Sequence, residues 1–182
     1  MNRSFARLAA AMLTLVAVEA FATQVIQRTP QELAQDSELV VDGRVSSVRS
    51  YWNEDRSKIF TEAVVAVGST HKGGATATVR VVQPGGVVGN VRMTAHGALQ
   101  WRKGEEVLLF LEPASPGTFQ VAGFWQGKYM IERDPRTGQA FVKHAMPADI
   151  EDTKTPASGA QPSAATERVS MQQFLDSVLP NE

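Results

Sequence analysis

The sequence contains no cysteine. That excludes a disulfide, a thiolate nucleophile, cysteine-ligated zinc and a lipidated cysteine. It also lacks an excess of either charge: 18 Lys and Arg stand against 19 Asp and Glu, a formal net charge of -1. Nucleic-acid binders carry a basic excess to meet phosphates, so no nucleic-acid partner is expected, and a strongly charged membrane-surface role is equally unsupported. The usual catalytic signatures are missing as well. There is no H-E-x-x-H, no G-x-S-x-G, no Walker lysine after "GGATATVR", and the glycines of "PGGVVGN" lack dinucleotide spacing. One S-x-x-K runs from Ser69 to Lys72. Enzymes that use this motif open a helix with the serine, whereas here the segment reads as a turn followed by Gly-Gly. His71, His96 and His144 are scattered, without i, i+2 or i, i+4 partners, and are expected in solvated loops or at strand ends. Neighbouring Glu105 and Glu106 point to opposite faces of a strand, and Glu132 and Asp134 flank a hairpin turn facing water. No catalytic residue, metal site or cofactor is assigned.

What is present begins with an export signal. Arg3 and Arg7 precede an apolar run from Leu8 to Val18, and Ala20-Phe21-Ala22 forms an A-x-A cleavage site. Residues 1–22 are therefore expected to be a signal peptide, with Thr23 the first mature residue and a periplasmic or secreted destination. The run is too short to span a bilayer comfortably, and no second apolar segment follows, so no stable membrane insertion is expected after cleavage.

Residues 23–145 read as one β domain. "TPQEL" opens a short helix, with Thr29 as cap, Pro30 at the first position and Glu32 completing a capping box. A strand carries Leu39, Val40, Val41, Val45 and Val48, with Gly43 at a bulge or close contact. A polar connection is expected at 50–58, a β-branched strand at 59–69, a turn at "THKGG" and an alternating strand at 75–84 in which Val79 and Val81 share a face. "GGVVGN" reads as a further turn and "VRMTA" as a short strand. "EVLLFLE" after the Lys103-Gly104-Glu105 turn is a continuous apolar strand, buried on both sides or closing a small barrel. "DPRTG" at 134–138 is a hairpin turn. Six or seven short strands predict a mostly β, small antiparallel OB-like barrel. Residues 146–168, rich in Pro, Ala, Ser and Thr, read as a flexible linker. Residues 169–182 read as a C-terminal helix capped by Ser170, with Met171, Phe174, Leu175 and Val178 on one face, which docks on the barrel or meets a partner.

"ELAQDSELVVDGRVSSVRSYW", the "KGG" turn, "VRVVQPGG" and "GEEVLLFL" together resemble an uncharacterised class of bacterial secreted proteins. Across residues 33–131 the ordering is also similar, distantly, to the netrin-like OB-fold of the tissue inhibitors of metalloproteinases. The resemblance implies an OB-like barrel and a binding module. The inhibitors' zinc-chelating N-terminal cysteine has no counterpart here, so none of their inhibitory residues carries over.

The aromatics make up only 7% of the chain, and Tyr51, Trp52, Trp101 and Trp125 fall near strand ends. Tryptophans there either plug a barrel as core or form a binding rim. Trp125 in "GFWQGKY" fits the core better, and Trp52 in "YWNEDRS" fits an exposed position better. These four residues are the candidate binding residues. "EVLLFL" is frame, whereas "GALQWRKG" can be a working surface. The expected function is an exported, non-enzymatic binding module for a protein or peptide, with a protease-inhibitor-like activity as its sharpest form. The alternatives are an envelope assembly or accessory subunit that docks through its tail helix, and a small hydrolase whose site is made by distant residues converging in one cleft.

Overall fold

A computed structural model describes residues 26–145 and 169–179. The leader expected at 1–22 and the linker expected at 146–168 lie outside the described residues. Within them the protein is mostly β. Helix α1 (Pro30–Asp36) leads, strands β1 (Leu39–Trp52), β2 (Ile59–Lys72), β3 (Thr78–Pro84), β4 (Gly86–Val88), β5 (Val91–Met93), β6 (Glu106–Ser115), β7 (Thr118–Val121), β8 (Lys128–Arg133), β9 (Ala140–His144) and β10 (Val169–Ser170) follow, and α2 (Met171–Val178) ends the described chain. The Thr29 hydroxyl accepts from the Glu32 backbone N–H, and the Glu32 carboxylate accepts from the Thr29 N–H at 2.7 Å, which satisfies two of the orphan donors of α1. No helix of the described residues is long and apolar enough to cross a membrane.

The main sheet closes on itself. β1 pairs with β2, β2 with β3, β3 with β7, β7 with β6, and β6 returns to β1. Every one of these pairings is antiparallel except β3–β7, which is parallel and rests on a single register pair, Val81 with Phe119. β8, β9 and β10 extend the sheet from the β6 edge. The strand count exceeds expectation because "GGVVGN" is the tip of a separate β4–β5 hairpin rather than a plain turn. The β1–β2 hairpin is also longer than its apolar pattern suggests. β1 runs on to Trp52 and β2 to Lys72, which narrows the expected 50–58 connection and moves the expected 70–74 turn beyond Lys72. These extensions carry outward polar residues that pair across strands instead of entering the core. Gly43 lies at a register shift, where a Cβ would collide with the Ala66 carbonyl.

Two apolar layers result. Inside the ring lie Leu39, Val41, Val65, Val81, Leu109 and Leu111. Outside it Val40, Leu108, Phe110 and Tyr129 form a second layer beneath Leu33 of α1 and Leu175 and Val178 of α2. β6 serves both layers with alternate residues, which is why its sequence does not alternate. α2 docks on the sheet with its N-terminus capped by Ser170.

Candidate binding cleft

The chain turns a sharp corner where β7 hands over to β8 on the same edge of β6. Ala122 N–H donates to Phe110 O, Phe110 N–H to Gly127 O, and Gly127 N–H to Ala122 O. Gly127 is required there, since a Cβ would stand 2.9 Å from two carbonyl oxygens. This corner forms one wall of a cleft of about 560 Å3. The end of β3 (Val81 to Pro84) and the loop at Ala95 to Ala98 form the opposite wall, with Ile26 and Arg28 along the rim. The cleft thus opens beside the parallel seam.

Two buried or half-buried glutamines fix its walls. The Gln83 side chain acts as a surrogate strand partner for Leu99: its Nε2 donates to Leu99 O at 2.6 Å and its Oε1 accepts from Leu99 N at 3.2 Å. The same oxygen accepts from Trp101 Nε1 at 3.1 Å. Gln126 treats the extended segment before α1 alike, donating to Ile26 O at 2.9 Å and accepting from Arg28 N at 2.8 Å. Arg28 pairs with Asp36, and Glu112 accepts from Gln120.

The rim carries unusual exposure. Phe124 is 61% exposed and Ile26 79%. Phe124 also has φ of 65°, one of two non-glycine residues with positive φ among the described residues. For a bulky side chain that conformation is an outlier that costs about 1–2 kcal/mol. The adjoining Trp125 is 6% exposed and packs into the ring interior.

The four candidate aromatics do not converge. Tyr51 and Trp52 lie at the far end of the β1–β2 hairpin and line no part of the cleft. Tyr51 stacks on Phe60 with centroids 6.3 Å apart, under the Arg49 guanidinium. Trp52 sits in a strand, paired with Ile59 and half-buried, rather than in an exposed polar loop. Its ring and that of the preceding Tyr51 favour the extended strand. Trp101 and Trp125 border the cleft, Trp101 through Gln83 and Trp125 through Gly97. Sequence reasoning missed Gln83 and Gln126 as wall-builders. Their signal is a lone amide inside an apolar segment, "RVVQP" and "GFWQG".

Three constellations of titratable groups involve a buried member. Lys128 is 1% exposed inside the ring mouth, bonded to Glu105 Oε1 and Gln100 O, both at 2.7 Å, with its ammonium 4.1 Å from the Trp101 ring centroid. Burial lowers its pKa below the ordinary lysine value against the pull of Glu105. Glu62, on the outer face, is held by Arg49 and Arg80. Burial alone would raise its pKa, but the two guanidiniums outweigh it and hold the carboxyl below its ordinary value. Asp42 and His71 share a 2.8 Å hydrogen bond beside a second cleft, of about 740 Å3, between α1, the end of β2 and α2. His71 thus falls at a strand end, as one of the two expected settings has it: β2 continues past the expected turn and places it beside a buried carboxylate. Among the described residues no hydroxyl bonds to His71, and no group of three or more metal-ligating side chains gathers.

No family model matches the chain, and no curated protein matches it.

Proposed function

We propose that the protein is an exported, non-enzymatic binding module that takes an apolar segment of a protein or peptide into the cleft beside the seam of an OB-like barrel. The observation that carries this reading is Phe124. Its backbone is strained, its ring stands in water at the rim, and it adds little to its own core. Strain of this kind collects at ligand clamps, and aromatic residues, Phe among them, are enriched at protein interfaces. The mostly apolar walls and the rigid glutamine ties supply the preformed concavity that recognition sites use. The ring, with its one weakly paired seam, fits the five-stranded, partly open OB plan. The leader read from the sequence at 1–22 supports a periplasmic or secreted location, and the mature protein recovered from medium or periplasm is expected to begin at Thr23.

The test selects peptides from a random library on the full chain and compares affinities with Phe124→Gly, which keeps the left-handed turn. Affinity is expected to fall at least about tenfold, while the melting temperature holds or rises. Equal affinity for both proteins sinks the reading. A protease-inhibitor-like activity is its sharpest form and needs loss of peptidase turnover in the presence of the wild type.

One observation favours a second reading, a small hydrolase: His71 lines the second cleft and is hydrogen-bonded to Asp42 behind it, and such a pair can accept a proton from an attacking water. Turnover of an ester and phosphoester panel, lost in His71→Ala, supports it. A wild-type protein that turns over none of them removes it.

A further inference from the structure

Resting on the cleft as a binding site, we infer that its occupant is a basic peptide in extended form. It adds as a strand to the free edge of β7, exchanges main-chain hydrogen bonds with Val121 and sets a lysine or arginine beside Glu112. The seam explains why that edge is free. β3 and β7 hold one register pair, Val81 with Phe119. Continued as a parallel ladder, the seam would next join Val121 N–H to Val82 O, and then an N–H at position 84 to Val121 O. Pro84 has no N–H to give, and no further register pair joins the two strands.

Alternation along each strand shows which groups are left over. Ala122 N–H donates to Phe110 O, and Pro113, also without an N–H, stands opposite Phe119. Gln120 and Ala122 thus turn their main chain toward β6, and Val121 between them turns its N–H and C=O the other way. On β3, Gly85 N–H donates to Ile59 O, so Gln83 and Val81 face β2 while Val82 and Pro84 turn their carbonyls toward the gap. Val82, Pro84 and Val121 all line the cleft. A donor and an acceptor on one edge residue are what a sheet offers to an added strand.

Charge selects the peptide. The titratable groups lining the cleft are Arg28, Glu112 and His96. Arg28 is neutralised by Asp36. Glu112 is half-buried and accepts from the neutral Gln120 amide at 3.0 Å, and no cationic side chain of the described residues pairs with it. An acidic peptide is repelled there, and a neutral one leaves the carboxylate without a counter-charge. A basic side chain supplies it, while Pro84 and Phe124 receive the apolar residues on either side.

The experiment uses the full chain, 15N-labelled, and two probes: N-acetyl-Val-Leu-Lys-Leu-Val-amide and the same peptide with norleucine in place of lysine. With the lysine peptide the Val121 amide proton is expected to move downfield, and its hydrogen exchange to slow at least about tenfold. The norleucine peptide is expected to bind about threefold more weakly at low salt, the worth of one part-exposed ion pair. That difference is expected to shrink as salt rises and to vanish in Glu112→Gln. If the backbone amides of Ala95 and Phe124 respond but Val121 is neither shifted nor protected, the inference is overturned and the cleft reading stands. Equal binding of the two peptides by the wild type overturns it in the same way. If no cleft amide responds to either peptide, both are overturned. The wild-type comparison carries the charge test even if Glu112→Gln unfolds.

Discussion

Lys128 places a positive charge among aliphatic side chains, and its surroundings decide what that costs. Glu105, the Gln100 carbonyl and the Trp101 ring answer its three donors. Removing one member of a buried pair leaves the other uncompensated. Lys128→Met is therefore expected to destabilise by about 3–5 kcal/mol, and Lys128→Met/Glu105→Leu to recover most of that loss. Denaturant midpoints of the full double-mutant cycle measure it. Because burial lowers the lysine pKa, the charged form is a burden at neutral pH. The burden is complete below the folded pKa and shrinks as pH rises toward the ordinary value of 10.5. Tyr129 runs the other way, its pKa pushed up to about 12 by burial. Its neutral form stabilises fully below the ordinary value of 10.0, and that contribution disappears as pH rises toward 12. Alkaline ultraviolet titration is expected to show one of the two tyrosines ionising late, together with unfolding. Neither residue's placement was legible in "GKYMIE", because a strand's period tells which residues share a face, not which face turns inward.

The elements were more legible than the residues. "EVLLFL" reads as a strand without alternation, and the structure gives the cause: Val107, Leu109 and Leu111 fill the ring while Leu108 and Phe110 meet the helices. Phe110 packs edge-on to Tyr129 and Phe174 at 5.8 and 6.3 Å. Phe110→Ala is accordingly expected to cost about 3–5 kcal/mol by chemical denaturation. Deleting residues 169–182 uncovers the same layer, and a rise in binding of a hydrophobic dye is the expected sign. The capping residues of both helices could be read directly, since a hydroxyl followed three residues later by a glutamate (Thr29 and Glu32) or a glutamine (Ser170 and Gln173) marks a helix start. The hairpin ends were harder. Between Ser46 and Trp52 the inward period fades into three serines and Arg49, and pairing there is kept by cross-strand contacts that no single strand announces. For that reason the candidate aromatics, all at or near strand ends, could be recognised as a class but not sorted into those at the cleft and those remote from it.

At the scale of the whole molecule, three strands share one electrostatic joint. Arg49 on β1 and Arg80 on β3 hold Glu62 on β2 at 2.8 and 2.5 Å. With the carboxyl held below its ordinary value of 4.5, this contribution is complete above that pH and is lost as pH falls through the folded value. Melting temperature measured between about pH 6 and pH 2 is expected to drop less steeply for Glu62→Gln than for the wild type. The fold class was visible from turn glycines and β-branched runs, but the closure was not, since it depends on strands far apart in the chain.

That closure also sets an order of events. Leu39 must find Leu111, about 70 positions later, before the ring exists. Contacts of such sequence separation are reached only after a long loop has lost its freedom, which places folding in the millisecond-to-second range rather than the microsecond range. During synthesis the first core strand has no β6 partner until most of the chain has been made. The ring therefore cannot close on the nascent chain until β6 has been made.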